Sequence, residues 1–165
     1  MDVEHDVVLN ILEVLEENGR ASVEEISDLV GKSPEVVRDI MEELENTRTI
    51  RKYKASIDWN KVDSYVYAII ELKVLLERER GYDEIAKRLS RFSEVVSVRL
   101  ISGDHDISLT IRGKSMKDVA FFVADKIAPL PEITATSTHF VLKTYKEDGV
   151  YMEGETQDHR LNISL

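Results

Sequence analysis

The chain has no cysteine, three prolines, seven glycines and one tryptophan in 165 residues. Without cysteine there is no disulfide scaffold, no thiol nucleophile and no thiolate metal site, and the composition fits a reducing compartment. So little glycine and proline excludes a collagenous or low-complexity chain, and 42% hydrophobic residues is globular rather than disordered. Unbroken apolar runs reach only six residues, as in Tyr65–Ile70, far short of the ~20 that cross a bilayer. The opening Met1-Asp2-Val3-Glu4-His5-Asp6 is acidic, the wrong charge for a secretory or transit peptide, so a cytoplasmic chain with no membrane partner is expected. No Gly-rich phosphate loop, Ser-centred elbow or paired-carboxylate motif is present, and an enzyme is not expected. His5, His105, His139 and His159 have no zinc-like spacing, so neither a metal site nor a cofactor is expected.

What the sequence does have is charge, 33% of its residues, with a net charge of −10 that argues against a nucleic-acid partner if spread evenly. It is not spread evenly. Residues 1–60 carry 15 acids and 7 bases, residues 61–165 carry 17 and 15. Inside the acidic first part, Arg48, Arg51, Lys52 and Lys54 fall in seven consecutive residues with no acid among them. An acidic body with one basic strip can still dock on phosphate, with a weak non-specific grip.

The first fifty residues read as three helices. Val7, Val8, Ile11, Leu12 and Leu15 recur at helical spacing until Asn18-Gly19 stops them. Ser22 stands three residues before Glu25, a capping-box spacing, and opens a short helix that Gly31 ends. Ser33-Pro34 starts a third helix, with Ser as N-cap and Pro at the first helical position, and Val37, Met41 and Leu44 give its buried stripe. Two short helices across a tight Gly turn make a helix-turn-helix pattern. Residues 50–58 alternate polar and apolar and predict a strand, and Trp59–Asp63 reads as a polar hinge with Trp59 as a packing anchor between domains.

Beyond the hinge, strand and helix patterns alternate. Tyr65–Leu76 reads as a long strand, Gly81–Phe92 as a helix, Val95–Ile101 and Asp106–Ile111 as a hairpin turning at Ser102-Gly103-Asp104-His105, Ser115–Ala128 as a helix stopped by Pro129 and Pro131, and Thr134–Thr144 as a last strand. The order β-α-β-β-α-β is the ferredoxin-like unit, one sheet with two helices on one face. Its open face needs a cover, and a second copy of the chain is the expected one. The fold class is therefore α+β. The expected boundaries are 1–50 for a helix-turn-helix domain, 51–63 for a strand and hinge, 64–148 for the βαββαβ domain and 149–165 for a tail. In the tail, Leu161-Asn162-Ile163-Ser164-Leu165 alternates like a short strand that either adds to a neighbouring sheet or frays.

A helix-turn-helix, a basic strand and then βαββαβ resembles the Lrp/AsnC (feast/famine) transcription regulators. Arg91-Phe92-Ser93-Glu94-Val95 followed by Ser102-Gly103-Asp104-His105-Asp106 resembles the family's "phenylalanine or leucine, proline-x-valine … Ser/Thr-Gly-x-aromatic-Asp" run. Thr136–Lys143 resembles its last strand, and the resemblance covers roughly residues 5–148. It implies a winged-type helix-turn-helix that binds double-stranded DNA and a βαββαβ (RAM) domain that forms a homodimer, assembles further to a tetramer or octamer, and binds a small effector, an amino acid in many members. Here Ile40, Glu42 and Glu43 stand where the family's recognition helix carries bases, and Arg48 stands where a glycine usually follows that helix.

The motif sends the start of the third helix into a major groove, which makes Ser33, Glu35, Val36 and Arg38 candidate DNA contacts. Arg38 is suited to a two-pronged guanine contact, or it pairs with Glu35 or Glu42 across a helical turn. Arg48, Arg51, Lys52 and Lys54, with Arg20 and Lys32, are phosphate candidates, or else a solvated strip balancing Glu42, Glu43 and Glu45. For an effector the candidates are Ser102, Gly103, Asp104, His105 and Asp106, with Thr136 and Thr138 as donors to a ligand carboxylate; ordinary turn chemistry accounts for the loop equally well. The rival function is a ligand-sensing or oligomerisation module of the same fold whose DNA binding is weak or lost.

Overall fold

The computed structural model describes residues 3–75 and 81–152, and its contacts divide it into two compact units, Met1–Ile57 and Asp58–Leu165. In the first unit, α1 (Val3–Glu17), α2 (Val23–Val30) and α3 (Pro34–Asn46) each present one apolar stripe. Val7, Ile11, Ile26 and Val37 form the buried cluster, with Ile40 and Met41 packed against it. Both capping signals are realised. Ser22 accepts from the Glu25 N–H at 3.2 Å while Glu25 accepts from the Ser22 N–H at 2.8 Å, and the Ser33 hydroxyl accepts from the Val36 N–H at 3.5 Å. Gly31, at φ 65°, supplies the left-handed residue that ends α2, and the buried Ser27 hydroxyl donates to the Lys32 carbonyl, closing the turn between α2 and α3.

The strand expected over residues 50–58 does not form. Residues 51–58 run without a ladder partner among the described residues, and alternation alone cannot make a strand without a neighbour to accept its N–H groups. The segment leaves α3 through a tight reversal instead. Arg48 takes φ 58°, the Ile50 N–H donates to the Leu44 carbonyl at 2.9 Å, and the Thr47 hydroxyl bonds the Glu43 carbonyl at 2.8 Å.

The second unit is a four-stranded antiparallel sheet in the order β2-β3-β1-β4, built from β1 (Val66–Val74), β2 (Val95–Leu100), β3 (Ile107–Gly113) and β4 (Ile133–Phe140). The crossover helices are α4 (Tyr82–Leu89) and α5 (Met116–Phe122), the latter continuing as a wider π-type turn over Val123–Ile127. Alternation fixes the faces. Ala68, Ile70, Leu72 and Val74 of β1 and Ile107, Leu109 and Ile111 of β3 are buried against Ile85, Leu89, Val119 and Ile127. A 3₁₀ turn at Trp59–Lys61 precedes the sheet. Trp59 packs edge-on against Tyr65 at 5.4 Å, and Arg112 lies over both rings, so the described ring contacts of this tryptophan are within the second unit.

At the β3–α5 corner a Cβ on Gly113 would stand 2.7 Å from Val119 Cγ2, so a larger residue there would require the buried Val119 side chain to move. After β4 the chain makes a small hairpin, β5 (Lys146–Glu147) and β6 (Val150–Tyr151), turned at Asp148 (φ 47°) and Gly149 (φ 82°). That hairpin spans position 149, where the tail is expected to begin. His159 and the alternating segment Leu161–Leu165 lie outside the described residues.

Candidate functional site

Ser33, Glu35, Val36 and Arg38 all lie in the first turns of α3, and Glu35, Val36 and Arg38 are exposed. Val36, 43% exposed although apolar, stands beside the buried Val37, so one valine packs the unit and the other faces outward. Among the described residues no ion pair holds Arg38, Arg48, Arg51 or Lys52; the alternative pairing of Arg38 with Glu35 or Glu42 is not formed. All four are exposed. Arg48 pays for its left-handed backbone where a glycine would not, at about 1 kcal/mol.

A side-chain hydrogen bond ties the basic segment to α3. The Tyr53 hydroxyl donates to Glu45 Oε1 on α3 at 2.8 Å. Loss of water around the phenol, then the hydrogen bond to Glu45 and its negative charge, push the Tyr53 hydroxyl up to about 12. One residue on, the Lys54 carbonyl lies 4.0 Å from where a Cβ on Gly19 would be, at the end of α1. The sequence names Glu45 only as a counter-charge and does not single out Tyr53, because the two stand eight positions apart across the end of α3 and no periodicity predicts their meeting.

The loop residues of the second unit have different fates. Ile101 and Asp106 close the β2–β3 hairpin, the Ile101 N–H donating to the Asp106 carbonyl at 2.9 Å. Gly103 takes φ 135°, a backbone closed to other residues, with open space around it. Ser102 and Asp104 are exposed, and among the described residues no ion pair holds Asp104. Asp106 is engaged internally. Its Oδ2 accepts from the Val74 N–H at 2.8 Å, its Oδ1 from the Tyr82 hydroxyl at 3.3 Å, and Lys73 Nζ stands 3.6 Å away. The Val74 N–H bond, with the Lys73 ammonium and the Tyr82 hydroxyl, holds the Asp106 carboxyl below the usual carboxylate range, and burial with the Asp106 charge raises the Tyr82 hydroxyl.

Thr136 and Thr138 pair with Leu72 and Ile70, so they share the helix-covered face of the sheet, at its β4 edge. Ser137 and His139 lie on the opposite face, where Glu71 Oε2 is 3.3 Å from His139 Nε2 and 3.7 Å from His105 Nδ1. The structure thus brings His105 to Glu71 and His139, and sets Thr136 and Thr138 on the other side of the sheet. Among the described residues no three His, Asp or Glu side chains are arranged to hold a metal ion, and no helix is long and apolar enough to cross a membrane. An open groove of about 420 Å³ lies between α4 and β2, floored by Ala86, Val98 and Leu100 and rimmed by Asp83, Lys87 and Arg91. None of the sequence-expected ligand residues lines it.

Two families match the two units. Residues 5–51 match a winged helix-turn-helix DNA-binding family, and residues 67–151 match the Lrp/AsnC ligand binding domain. The chain is 47% identical over 156 residues to the uncharacterised HTH-type transcriptional regulator YugG of Bacillus subtilis, covering 93% of this chain and 94% of that one. It is 31% identical to the HTH-type transcriptional regulator FL11 of Pyrococcus horikoshii, covering 83% of this chain and 88% of the other. Among solved structures, the transcriptional regulator NMB0573 of Neisseria meningitidis, in complex with L-Met, superposes with a TM-score of 0.72 at 26% identity, over 86% of this chain and 91% of that one. Helix-turn-helix, ferredoxin-like sheet, family matches and relatives agree: the chain belongs to the Lrp/AsnC family, a transcriptional regulator with a DNA-binding helix-turn-helix and a ligand-binding domain.

Proposed function

We propose that α3 enters the major groove of a specific operator through Val36 and Arg38, with Ser33 capping and Glu35 beside it, while Arg48, Arg51, Lys52 and Lys54 meet the flanking phosphates. The observation that carries this reading is that Arg38, Arg48, Arg51 and Lys52 are held by no acid among the described residues, in a unit rich in acids. Cations that merely balanced Glu42, Glu43 and Glu45 would be found against them. A few phosphate contacts per subunit give modest affinity, so tight binding comes from several subunits on one duplex, two per homodimer and more in a tetramer or octamer.

The second unit binds a small effector, of amino-acid class, at the 102–106 loop. The L-Met bound to the Neisseria relative supports that class. With Asp106 committed to Val74 and Tyr82, the exposed Asp104 is the acid that meets the ligand ammonium, and Ser102 and the open space at Gly103 serve its other end. The effector acts by binding one assembly better than another.

The acidic α3 surface, with exposed Glu42, Glu43 and Glu45, favours a second reading in which the unit no longer grips DNA. Titrating labelled duplexes, including the chain's own upstream DNA, against salt decides between them. Salt-sensitive, sequence-dependent binding supports the first reading; no binding at low salt supports the second. A native-mass measurement with a panel of amino acids tests the effector, and Asp104→Ala is expected to weaken binding where Asp106→Asn does not.

A further inference from the structure

Three features lie outside the functions already described: the groove between α4 and β2, the Glu71–His105–His139 cluster on the open sheet face, and the hydrogen bond from Tyr53 to Glu45. The last is the one whose geometry joins two parts of a single binding surface.

We propose that Tyr53 and Glu45 form a positioning clip that fixes the basic segment 51–54 alongside α3, so that Arg51 and Lys52 reach phosphate when α3 reaches base edges. The inference rests on the DNA-binding reading above and extends it to residues that touch no DNA themselves. Its basis is local. Among the described residues the segment has no strand ladder to hold it, yet its direction is set at both ends. At one end Thr47 and Thr49 join hydroxyls at 3.1 Å, Arg48 turns left-handed and Ile50 bonds back to Leu44 at 2.9 Å. At the other, the Tyr53 hydroxyl reaches Glu45 at 2.8 Å, and the next carbonyl lies near Gly19. Between those points Arg51 and Lys52 are exposed. A flexible cationic segment loses conformational freedom when it meets a duplex, and a clip formed in the free protein lowers that cost. Tyr53 stays a neutral donor throughout the physiological range, so the bond persists there.

The clip also explains an acid placed against the binding surface. Glu45 repels a polyanion, and electrostatics alone predicts that its removal tightens binding. If Glu45 works as the anchor of Tyr53, the benefit of removing it appears only after Tyr53 has let go.

A double-mutant cycle on the full-length chain tests this, using a fluorescent mixed-sequence duplex of about 30 base pairs titrated across a salt series. Tyr53→Phe, which keeps ring and charge, is expected to weaken binding about threefold to tenfold and to lower the salt slope by about one ion per subunit, a change that simple destabilisation does not produce. Glu45→Ala is expected to tighten binding in the Tyr53→Phe background, and to tighten it less or weaken it in the wild type. If Glu45→Ala changes affinity by the same factor in both backgrounds, or Tyr53→Phe leaves affinity and slope unchanged, the clip is overturned while the DNA-binding reading stands. A wild-type chain that binds no duplex at low salt overturns both. Thermal unfolding of each variant confirms that the measured chains are folded.

Discussion

In the first unit Arg38, Arg48, Arg51 and Lys52 stand without an acidic partner among the described residues, whereas in the second unit Asp106, the acid that the loop pattern offers to a ligand, is occupied by Val74, Tyr82 and Lys73. The cores differ as well. The first unit rests on a cluster of four buried residues, Val7, Ile11, Ile26 and Val37, while fourteen bury themselves between sheet and helices in the second. The difference follows the lengths of the two units, and it makes the first the more easily unfolded by a single cavity.

The largest test of that contrast is a cavity in each core. Ile26→Ala and Leu109→Ala each cost about 3 kcal/mol, and both side chains are fully buried. The first is expected to unfold residues 1–57 and abolish DNA binding while the sheet unit keeps its amide protection. The second is expected to lower the melting point of the sheet unit without unfolding it. Hydrogen exchange read separately for the two units checks this, and equal loss of protection in both would erase the distinction.

Titration distinguishes Asp106 of the second unit from Tyr53 of the first at opposite ends of the pH scale. Asp106 has a lowered pKa in the fold, so its stabilisation is present above the unfolded value of 3.8 and is lost as pH falls through the lower folded value. Tyr53 has a raised pKa, so its contribution is complete below 10.0 and fades as pH rises toward about 12. Acid is therefore expected to loosen the β2–β3 hairpin, and alkali to release segment 51–54 together with the bond that the likewise raised Tyr82 hydroxyl gives Asp106. Tyrosine absorbance and pH-dependent unfolding of Asp106→Asn and Tyr53→Phe, each flat in its own window, check the assignment.

Smaller effects follow from single contacts. Arg88 stands 3.6 Å from Glu132, a carboxylate only 7% exposed, and Arg88→Ala is expected to cost the sheet unit about 1 kcal/mol in chemical denaturation. Arg48→Gly is expected to relieve a left-handed backbone and gain about 0.5–1 kcal/mol while weakening duplex binding, a trade in which stability and grip move in opposite directions.

Most of the architecture was legible because it is carried by short-range signals. The Ser22/Glu25 box, Gly31 and Ser33-Pro34 mark helix ends through atoms within a few residues, and the alternation of β1 and β3 names the buried face. Segment 50–58 alternates like a strand but has no ladder partner among the described residues; a strand is a property of two segments, and one segment's pattern does not carry it. Asp148-Gly149 is a strong turn signal, but arms of two residues each are too short to show strand alternation in the sequence. The site was less legible. Candidate DNA residues sit on one helix and the segment after it, so sequence proximity finds them. Asp106 looks from the sequence like a free loop acid, and only the meeting of β1, β3 and α4 shows it satisfied. Thr136 and Thr138 fall on the helix-covered face because register with Leu72 and Ile70 decides it, and their own strand is polar on both sides at those positions.

The corner at Gly113 carries one more consequence. Because a single methyl there would meet Val119 Cγ2 at 2.7 Å, the two sites are coupled: a larger residue at 113 asks the buried valine of the second crossover helix to shift or to shrink, whereas a smaller residue at 119 makes no such demand on 113.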